Sequence, residues 1–252
     1  MSASQLQRAA DVLRRSKHLV VLTGAGMSKE SGIPTFRDAF EGMWARFDPE
    51  EVATPQAFQR NPRMVWEWYE ARRLQIIQAQ PHAGHYALAA LEAHLPQVVI
   101  VTQNIDGLHK RAGSTDVIEL HGNIMQHKCF ADCQGDPTLL NIAELPQDEI
   151  PPRCPHCGAY ARPNVVWFNE FLPVGALERA RELCLRADVI LIVGTSGVVQ
   201  PAASLPYLAK QYGGAFLIDI NPEHNEITPM CDLFLQGTAG GILPRLAELI
   251  SS

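Results

Sequence analysis

Three groups of residues have types and spacings suited to chemistry. Cys129-x3-Cys133 and Cys154-x2-Cys157 are two short knuckles separated by twenty residues. That spacing lets four thiolates converge tetrahedrally on one zinc ion. Four thiolates fill the coordination shell and leave no position for water or substrate, so the metal is expected to organise the chain and not to react. His127 and His156 stand beside these cysteines and are expected to be exposed residues of the knuckles, while Cys184 and Cys231 read as buried thiols. The second group is the turn Thr23-Gly24-Ala25-Gly26, which follows the apolar run Val20-Val21-Leu22. Its glycines fit the start of a dinucleotide fingerprint, one for the tight turn and one for close approach of a pyrophosphate, but Lys29 stands where a third glycine belongs. No Gly-Lys-Ser/Thr follows, which removes a phosphate P-loop. The third group, Thr102-Gln103-Asn104-Ile105-Asp106-Gly107-Leu108-His109 and Glu119-Leu120-His121-Gly122, places amide, carboxylate and imidazole groups at the ends of short apolar runs. Taken singly, each has a plainer reading: a strand-to-helix turn for the glycines, an Asx turn for Asn104 or Asp106, a hydrogen-bonded core histidine for His121.

Bringing such groups together requires strands that end side by side. The 252 residues are 46% hydrophobic, enough for one sizeable core with a smaller appended module. A formal charge of −6 offers no net-positive field for a nucleic-acid backbone. The longest apolar run, Val189-Ile190-Leu191-Ile192-Val193, is far short of a membrane span, and the first residues are polar and amphipathic, unlike a signal peptide. A cytoplasmic protein without nucleic-acid or membrane partners is expected, and no oligomer is implied. Leu6, Ala9, Ala10, Val12 and Leu13 recur at helical spacing in residues 2–15. Short β-rich runs follow at 18–23, 98–103, 117–120, 189–194 and 215–220, most separated by helical patterns such as 85–95 and 177–187. This alternation predicts an α/β fold, a parallel sheet with helices on both faces. Four of the runs end in polar or glycine-rich turns, at Thr23-Gly24, Thr102-Gln103-Asn104, Gly194-Thr195-Ser196 and Asp219-Ile220-Asn221, so one crevice beyond the strand ends can collect all four. Two stretches break the pattern. Residues 39–80 are rich in aromatics, with Asn61-Pro62 as N-cap and first residue of a helix running through Trp66, Trp68, Tyr69 and Arg72. Residues 122–162 are loop-like, proline-rich and hold four cysteines; the two stretches together can form a small lobe.

The ordered set Gly24-Ala25-Gly26-x-Ser28-x-x-Ser31-Gly32-Ile33-Pro34-x-Phe36-Arg37, Gln103-Asn104-Ile105-Asp106, His121-Gly122, four cysteines, Gly194-Thr195-Ser196 and Asn221 closely resembles the sirtuin family of NAD-dependent protein lysine deacylases, from about residue 18 to about residue 245. The resemblance implies a Rossmann-like large domain (residues 1–38, 81–121 and 163–252). It also implies a small domain made of a helical module (39–80) and a zinc-binding module (122–162). NAD is then a consumed co-substrate, and one structural zinc is carried per chain. Gly24, Ala25, Gly26, Ser28, Pro34, Phe36, Arg37 and Trp44 would hold the dinucleotide with Gln103, Asn104, Ile105 and Asp106. Gly194, Thr195, Ser196, Asn221, Pro222, Glu223 and Ala239 would complete that site, with Asn104 and Asp106 lining the nicotinamide pocket. His121 would be the catalytic general base, acting on a ribose hydroxyl; an imidazole with a pKa near ~6.5 suits that task.

The resemblance extends to substrate. Val166, Phe168, Asn169 and Glu170, within Asn164-Val165-Val166-Trp167-Phe168-Asn169-Glu170, resemble the segment that pairs with an acyl-lysine peptide as an added strand. Here Asn169 replaces the family's glycine; asparagine tolerates positive φ better than most residues, but its side chain bears on peptide preference. Tyr69-x-x-Arg72 would share one helix face, and with Ala53 resembles the sirtuin class that removes negatively charged acyl groups such as succinyl or malonyl. Two other activities use the same residues: non-catalytic binding of NAD or acyl-lysine, and protein ADP-ribosyl transfer.

Overall fold

The computed structural model describes residues 2–34, 49–146 and 148–251. The first helix, α1 (Ala3–Arg15), is closed by a capping box in which the Ser2 hydroxyl accepts from the Gln5 N–H and the Gln5 side chain accepts from the Ser2 N–H. Six strands then build one parallel sheet: β1 (Leu19–Thr23), β2 (Val98–Thr102), β3 (Val117–Glu119), β7 (Val189–Val193), β8 (Phe216–Asn221) and β9 (Leu233–Gln236). Their order is β3-β2-β1-β7-β8-β9. Chain order reverses between β1 and β7, the switch point of a doubly wound sheet, where the two connections leave in opposite directions and open a crevice.

The sheet is buried on both faces because its strands alternate between two cores. Leu19 and Val21 of β1, Val98 and Ile100 of β2 and Leu191 of β7 pack against α1, α5 (Ala83–Leu91) and α9 (Ala239–Ser251). Val20, Leu22, Val99, Val101, Ile190 and Ile192 pack on the other face, against α7 (Val174–Arg186) and α8 (Leu205–Leu208). Each such aliphatic side chain contributes about 1.5–3 kcal/mol of burial, so this sheet is self-sufficient. The strands and helices expected here are present; β9 and α9 are additional elements.

The small lobe joins α2 (Pro49–Val52), α3 (Pro55–Arg60) and α4 (Pro62–Gln78) to an antiparallel sheet of order β5-β4-β6, made of β4 (Gly122–Cys129), β5 (Leu139–Leu140) and β6 (Ala161–Val165). Asn61 caps α4 through an acceptor bond from the Met64 N–H at 3.1 Å, and Pro62 follows as its first residue, as the sequence indicated. The loop-like reading of residues 122–162 is corrected: β4 is eight residues long. A register shift between Asn123 and His127 disrupts the alternation that would have marked the strand. β6 also carries small-sheet pairing to Val165, past the expected boundary at 162, and Trp167 joins the small core beside Phe58, Val65, Trp68 and Tyr69. Between the lobes runs α6 (Leu108–Arg111), which lends Leu108 to that core. Among the described residues no helix is long and apolar enough to cross a membrane.

Candidate active site

At the switch point, the turn after β1 meets the turn after β7 backbone to backbone. The Gly26 N–H donates to the Gly194 carbonyl at 2.8 Å and the Gly24 N–H to the Val193 carbonyl at 3.1 Å. A Cβ on Gly24 would stand 2.8 Å from the Gly194 oxygen, and one on Gly26 would stand 2.8 Å from the Gly194 Cα. Gly194 itself has φ +61. These glycines therefore allow one loop to lie on the other. Ala25 begins the first of two 3-10 turns, and Glu30 in the second binds the Thr238 hydroxyl (3.0 Å) and the Gly240 N–H (2.7 Å), a carboxylate on the N-terminus of α9 that draws Ala239 to the loop.

The third sequence group closes on this loop. The Asn104 amide donates to the Gly24 carbonyl (2.9 Å) and to Ser28 Oγ (3.0 Å), and the Ser28 hydroxyl donates to Asp106 Oδ2 (2.7 Å). The Leu108 N–H satisfies Asp106 Oδ1 at 2.8 Å. Burial raises the Asp106 carboxyl, opposed by these hydrogen bonds from Leu108 and Ser28. Ile105 accepts the Ile124 N–H through its carbonyl, which ties this strand end to β4. Gln103 donates to Thr195 Oγ1 (3.2 Å), and Asn221 donates to the Thr195 carbonyl (3.2 Å). Asp219 is fully buried and orients Asn221; it also accepts from Thr228 and Asn225. Ser196, Pro222 and Glu223 lie exposed at the rim, as does Pro34. Phe36, Arg37 and Trp44 fall outside the described residues.

His121 sits where β3 gives way to β4. Its Nδ1 lies 2.9 Å from the Gln103 carbonyl. A carbonyl only accepts, so Nδ1 carries the proton and Nε2 presents a lone pair. Burial lowers the His121 pKa, opposed by that backbone hydrogen bond. The ring is thus a neutral imidazole of fixed tautomer at pH 7.

Behind the glycine loop lies a histidine trio that the sequence motifs did not reveal. His82 accepts the Gly84 N–H on Nδ1 (3.0 Å), which leaves Nε2–H to donate to the Met27 carbonyl (2.6 Å). His85 accepts the His82 N–H on Nδ1 (3.3 Å), and His109 Nε2 donates to Thr23 Oγ1 (3.0 Å), whose proton is committed to Thr102. Desolvation drives His85 down to about 2 and His109 to about 4, with the neighbouring histidines acting in the same direction.

The acyl-side residues meet in the small lobe. Tyr69 and Arg72 lie on α4; Tyr69 is buried, and Arg72 lies over the Trp68 ring at 5.7 Å, with no hydrogen bond or ion pair among the described residues. Burial lowers the Arg72 pKa, while Tyr69 and Asp106 oppose that shift. Ala53 is buried, and its carbonyl accepts the Phe168 N–H (2.9 Å). The Val166 N–H is taken by the His121 carbonyl (2.9 Å) and the Trp167 N–H by Glu170 (2.8 Å), so donors of the expected peptide-pairing segment are already engaged internally. Glu170 clamps Arg162 at 2.5 and 3.0 Å. Arg162, missed by sequence reasoning, is buried, stacks on Trp167 at 3.3 Å and donates to the Val165 carbonyl. Asn169 adopts φ 67, the left-handed conformation its family's glycine would supply, and its side chain is exposed.

The Sγ atoms of Cys129, Cys133, Cys154 and Cys157 lie within 4.8 Å of one another, with Cys129 and Cys157 3.5 Å apart and Cys133 and Cys154 3.8 Å apart. Tetrahedral zinc with bonds of about 2.3 Å sets sulfurs about 3.8 Å apart, so the cluster fits one zinc ion. Cys129 ends the strand whose other end adjoins His121, at a rise of about 3.3 Å per residue, which keeps the metal remote from the imidazole. His156 is exposed as expected, but His127 is buried, stacked on Trp66 at 5.1 Å and hydrogen-bonded by Arg73, because α4 covers that strand position. Cys184 is buried and Cys231 half-buried.

Comparisons with known proteins agree with this geometry. The Sir2 family profile matches residues 24–201. NAD-dependent protein deacylase 2 of Pyrobaculum aerophilum is 52% identical over 239 residues, covering 95% of this chain and 93% of that one. The crystal structure of a Sir2 homolog–NAD complex superposes with a TM-score of 0.88 at 44% identity, covering 97% of this chain and 93% of the other. A Sir2–p53 peptide–NAD+ structure gives a TM-score of 0.81 at 32% identity, covering 96% and 97%. With the profile spanning most of the chain and a relative 52% identical over 95% of it, the chain belongs to the Sir2 family.

Proposed function

We propose that this protein is an NAD-dependent protein-lysine deacylase that transfers the acyl group from lysine to ADP-ribose and releases nicotinamide. The observation that carries the reading is His121, a half-buried neutral imidazole whose Nε2 lone pair is fixed by the Gln103 carbonyl beside the Asn104–Ser28–Asp106 network. The reaction begins with loss of neutral nicotinamide from NAD and attack of the acyl oxygen on the ribose carbon. Asn104 and Asp106 line the carboxamide pocket in this reading, and exclusion of water protects the electron-poor carbon. His121 then removes a proton from a ribose hydroxyl, which attacks the imidate carbon; water adds to that carbon and the lysine amine departs, leaving free lysine and acyl-ADP-ribose. Zinc organises the small lobe and takes no part in these steps.

The acyl preference in this proposal is for negatively charged chains, succinyl above acetyl. Arg72, in no ion pair among the described residues, pairs with the distal carboxylate, and Tyr69 adds a hydrogen bond. The partners are acyl-lysine proteins of the cytoplasm, and nucleic acid and membranes are not ligands; the formal charge of −6 supports this. Mass spectrometry of succinyl- and acetyl-lysine peptides incubated with NAD tests the whole reading. Free lysine peptide with acyl-ADP-ribose is expected; ADP-ribosylated protein without deacylation would favour transferase activity, and no turnover would leave a binding module.

A further inference from the structure

Trp167 holds a position that the reaction scheme leaves unused. Its indole N–H lies 2.9 Å from the Tyr69 hydroxyl oxygen. An indole nitrogen only donates, whereas a phenol can donate and accept. In this bond Tyr69 is therefore the acceptor, and its own proton must point elsewhere. Among the described residues Trp167 is the sole hydrogen-bond partner of that hydroxyl.

The indole is itself held from three sides. Arg162 stacks on its face at 3.3 Å and is pinned by both oxygens of Glu170, the same carboxylate that accepts the Trp167 backbone N–H. Phe58 packs at 5.3 Å between ring centroids, and Trp167 is 2% exposed. Two residues further on, Asn169 and Glu170 complete the turn, so the clamp belongs to the segment that follows His121 in space.

We infer that Trp167 is a positioning residue for acyl recognition: by donating to the Tyr69 oxygen it leaves the phenol proton as a directed donor for a carboxylate on the acyl chain. The inference rests on the proposed role of Tyr69 and Arg72 as readers of an acidic acyl group. Burial keeps the phenol protonated, with its pKa pushed up to about 12, so a proton is always present to donate. Arg72, three residues along α4, supplies the charge, and Tyr69 supplies direction. Without the indole donor, the phenol proton can rotate into the space vacated by the N–H, and the carboxylate loses an oriented partner. An acetyl group, with no carboxylate, gains nothing from either arrangement.

Trp167→Phe keeps an aromatic ring under Arg162 and deletes the donor together with part of the indole's volume. Its kcat/KM for a succinyl-lysine peptide is expected to fall about 5- to 10-fold through KM, part of the full value of a charge-assisted bond. Values for the matched acetyl peptide and KM for NAD are expected to stay within about twofold, since neither uses the phenol proton. Tyr69→Phe should show the same selective loss, and the double variant no more than Tyr69→Phe alone, because both act through one bond. Equal losses on both peptides, or additive losses in the double variant, would overturn the positioning role. Arg72→Met measured in parallel separates this inference from its premise. A selective loss there with a non-selective Trp167→Phe sinks only the role of Trp167, whereas a non-selective Arg72→Met sinks the acyl-reading proposal itself. Should Trp167→Phe not fold, the indole N–H resonance of the 15N-labelled wild type decides: it is expected to move on succinyl-peptide binding and not on acetyl-peptide binding. The same shift with both peptides would overturn the inference.

Discussion

The sheet and the small lobe reach stability by different physics. The sheet alternates its strand residues between two apolar cores, so β1, β2 and β7 are covered on both faces without any ion or buried charge in their interior. The small lobe encloses a guanidinium, a carboxylate, an imidazole and four thiols. Its order therefore depends on electrostatic completion: Arg162 needs Glu170, and the four cysteines need a cation. In the sheet domain, polar groups at the strand ends form the site, and buried Asp219 of β8 and His85 of α5 stand behind it. In the lobe they are structural, and the substrate-reading residues are built on them.

The largest test of this contrast removes the metal. Cys154→Ser is expected to lose zinc and the folded small lobe, since structural zinc contributes about 10–16 kcal/mol in small domains. Hydrogen exchange should report faster exchange in β4 and β6 and retained protection in β1, β2 and β7. A folded, metal-free and active variant would erase the distinction. His121→Ala targets the sheet's strand ends instead. Turnover is expected to fall about 10²- to 10⁴-fold, the usual contribution of a general base, with the thermal midpoint little changed. Retained deacylation in a purified variant would remove His121 from the mechanism.

The next effect is a pH dependence in the sheet domain. His85 and His109 are held near 2 and 4, below the ~6.5 of an unfolded histidine. Below pH 6.5 the unfolded chain takes up protons that native His85 and His109 refuse, so stability is complete above that pH and declines as the pH falls toward 4. At about 1.4 kcal/mol per pKa unit, each of the two contributes about 2–3 kcal/mol of loss by pH 4.5. Asp106 and Asp219, raised by burial, work in the opposite sense. Denaturation in urea at pH 7.5 and 4.5 checks this, and His109→Asn should flatten the difference. An unchanged slope in that variant would assign the acid sensitivity elsewhere.

A smaller effect is expected at the acyl pocket. Arg72→Met should lower succinyl-peptide kcat/KM about 10- to 100-fold relative to the acetyl peptide, the worth of one charge-assisted bond. Parallel losses on both peptides would return Arg72 to the fold of the lobe. The smallest change is Asn169→Gly. With φ at 67, glycine is expected to shift stability by less than about 1 kcal/mol, while relative KM values for peptides differing beside the acyl-lysine should change. Identical peptide rankings would mean that the exposed Asn169 side chain does not contact substrate.

Much of the fold was legible because it is written locally. The two-faced burial of β1 and β7 appears as short unbroken apolar runs, and Asn61-Pro62 announces α4 by its own capping chemistry. The four cysteines carry their ligand spacing in the chain. β4 escaped notice because a register shift hides its period, and His127 looked exposed because Trp66 covers it from another module. The side-chain partner of Glu170 was not legible, because a motif names a residue and not its partner. That partner, Arg162, is eight positions away on another side of the turn.

By itself the sequence determined a parallel sheet, glycine turns at strand ends and a four-cysteine cluster spaced for zinc, since periodicity, turn chemistry and ligand spacing act over a few residues. Tertiary structure alone decided what those groups touch. Gly24 and Gly26 lie against Gly194, His85 meets His109, and Trp167 reaches Tyr69 across 98 positions of chain. The physical reason is that a hydrogen bond or a close backbone approach is short in space but has no required length along the chain. Its partner is chosen by how the strands and helices pack, after each local rule has already been satisfied.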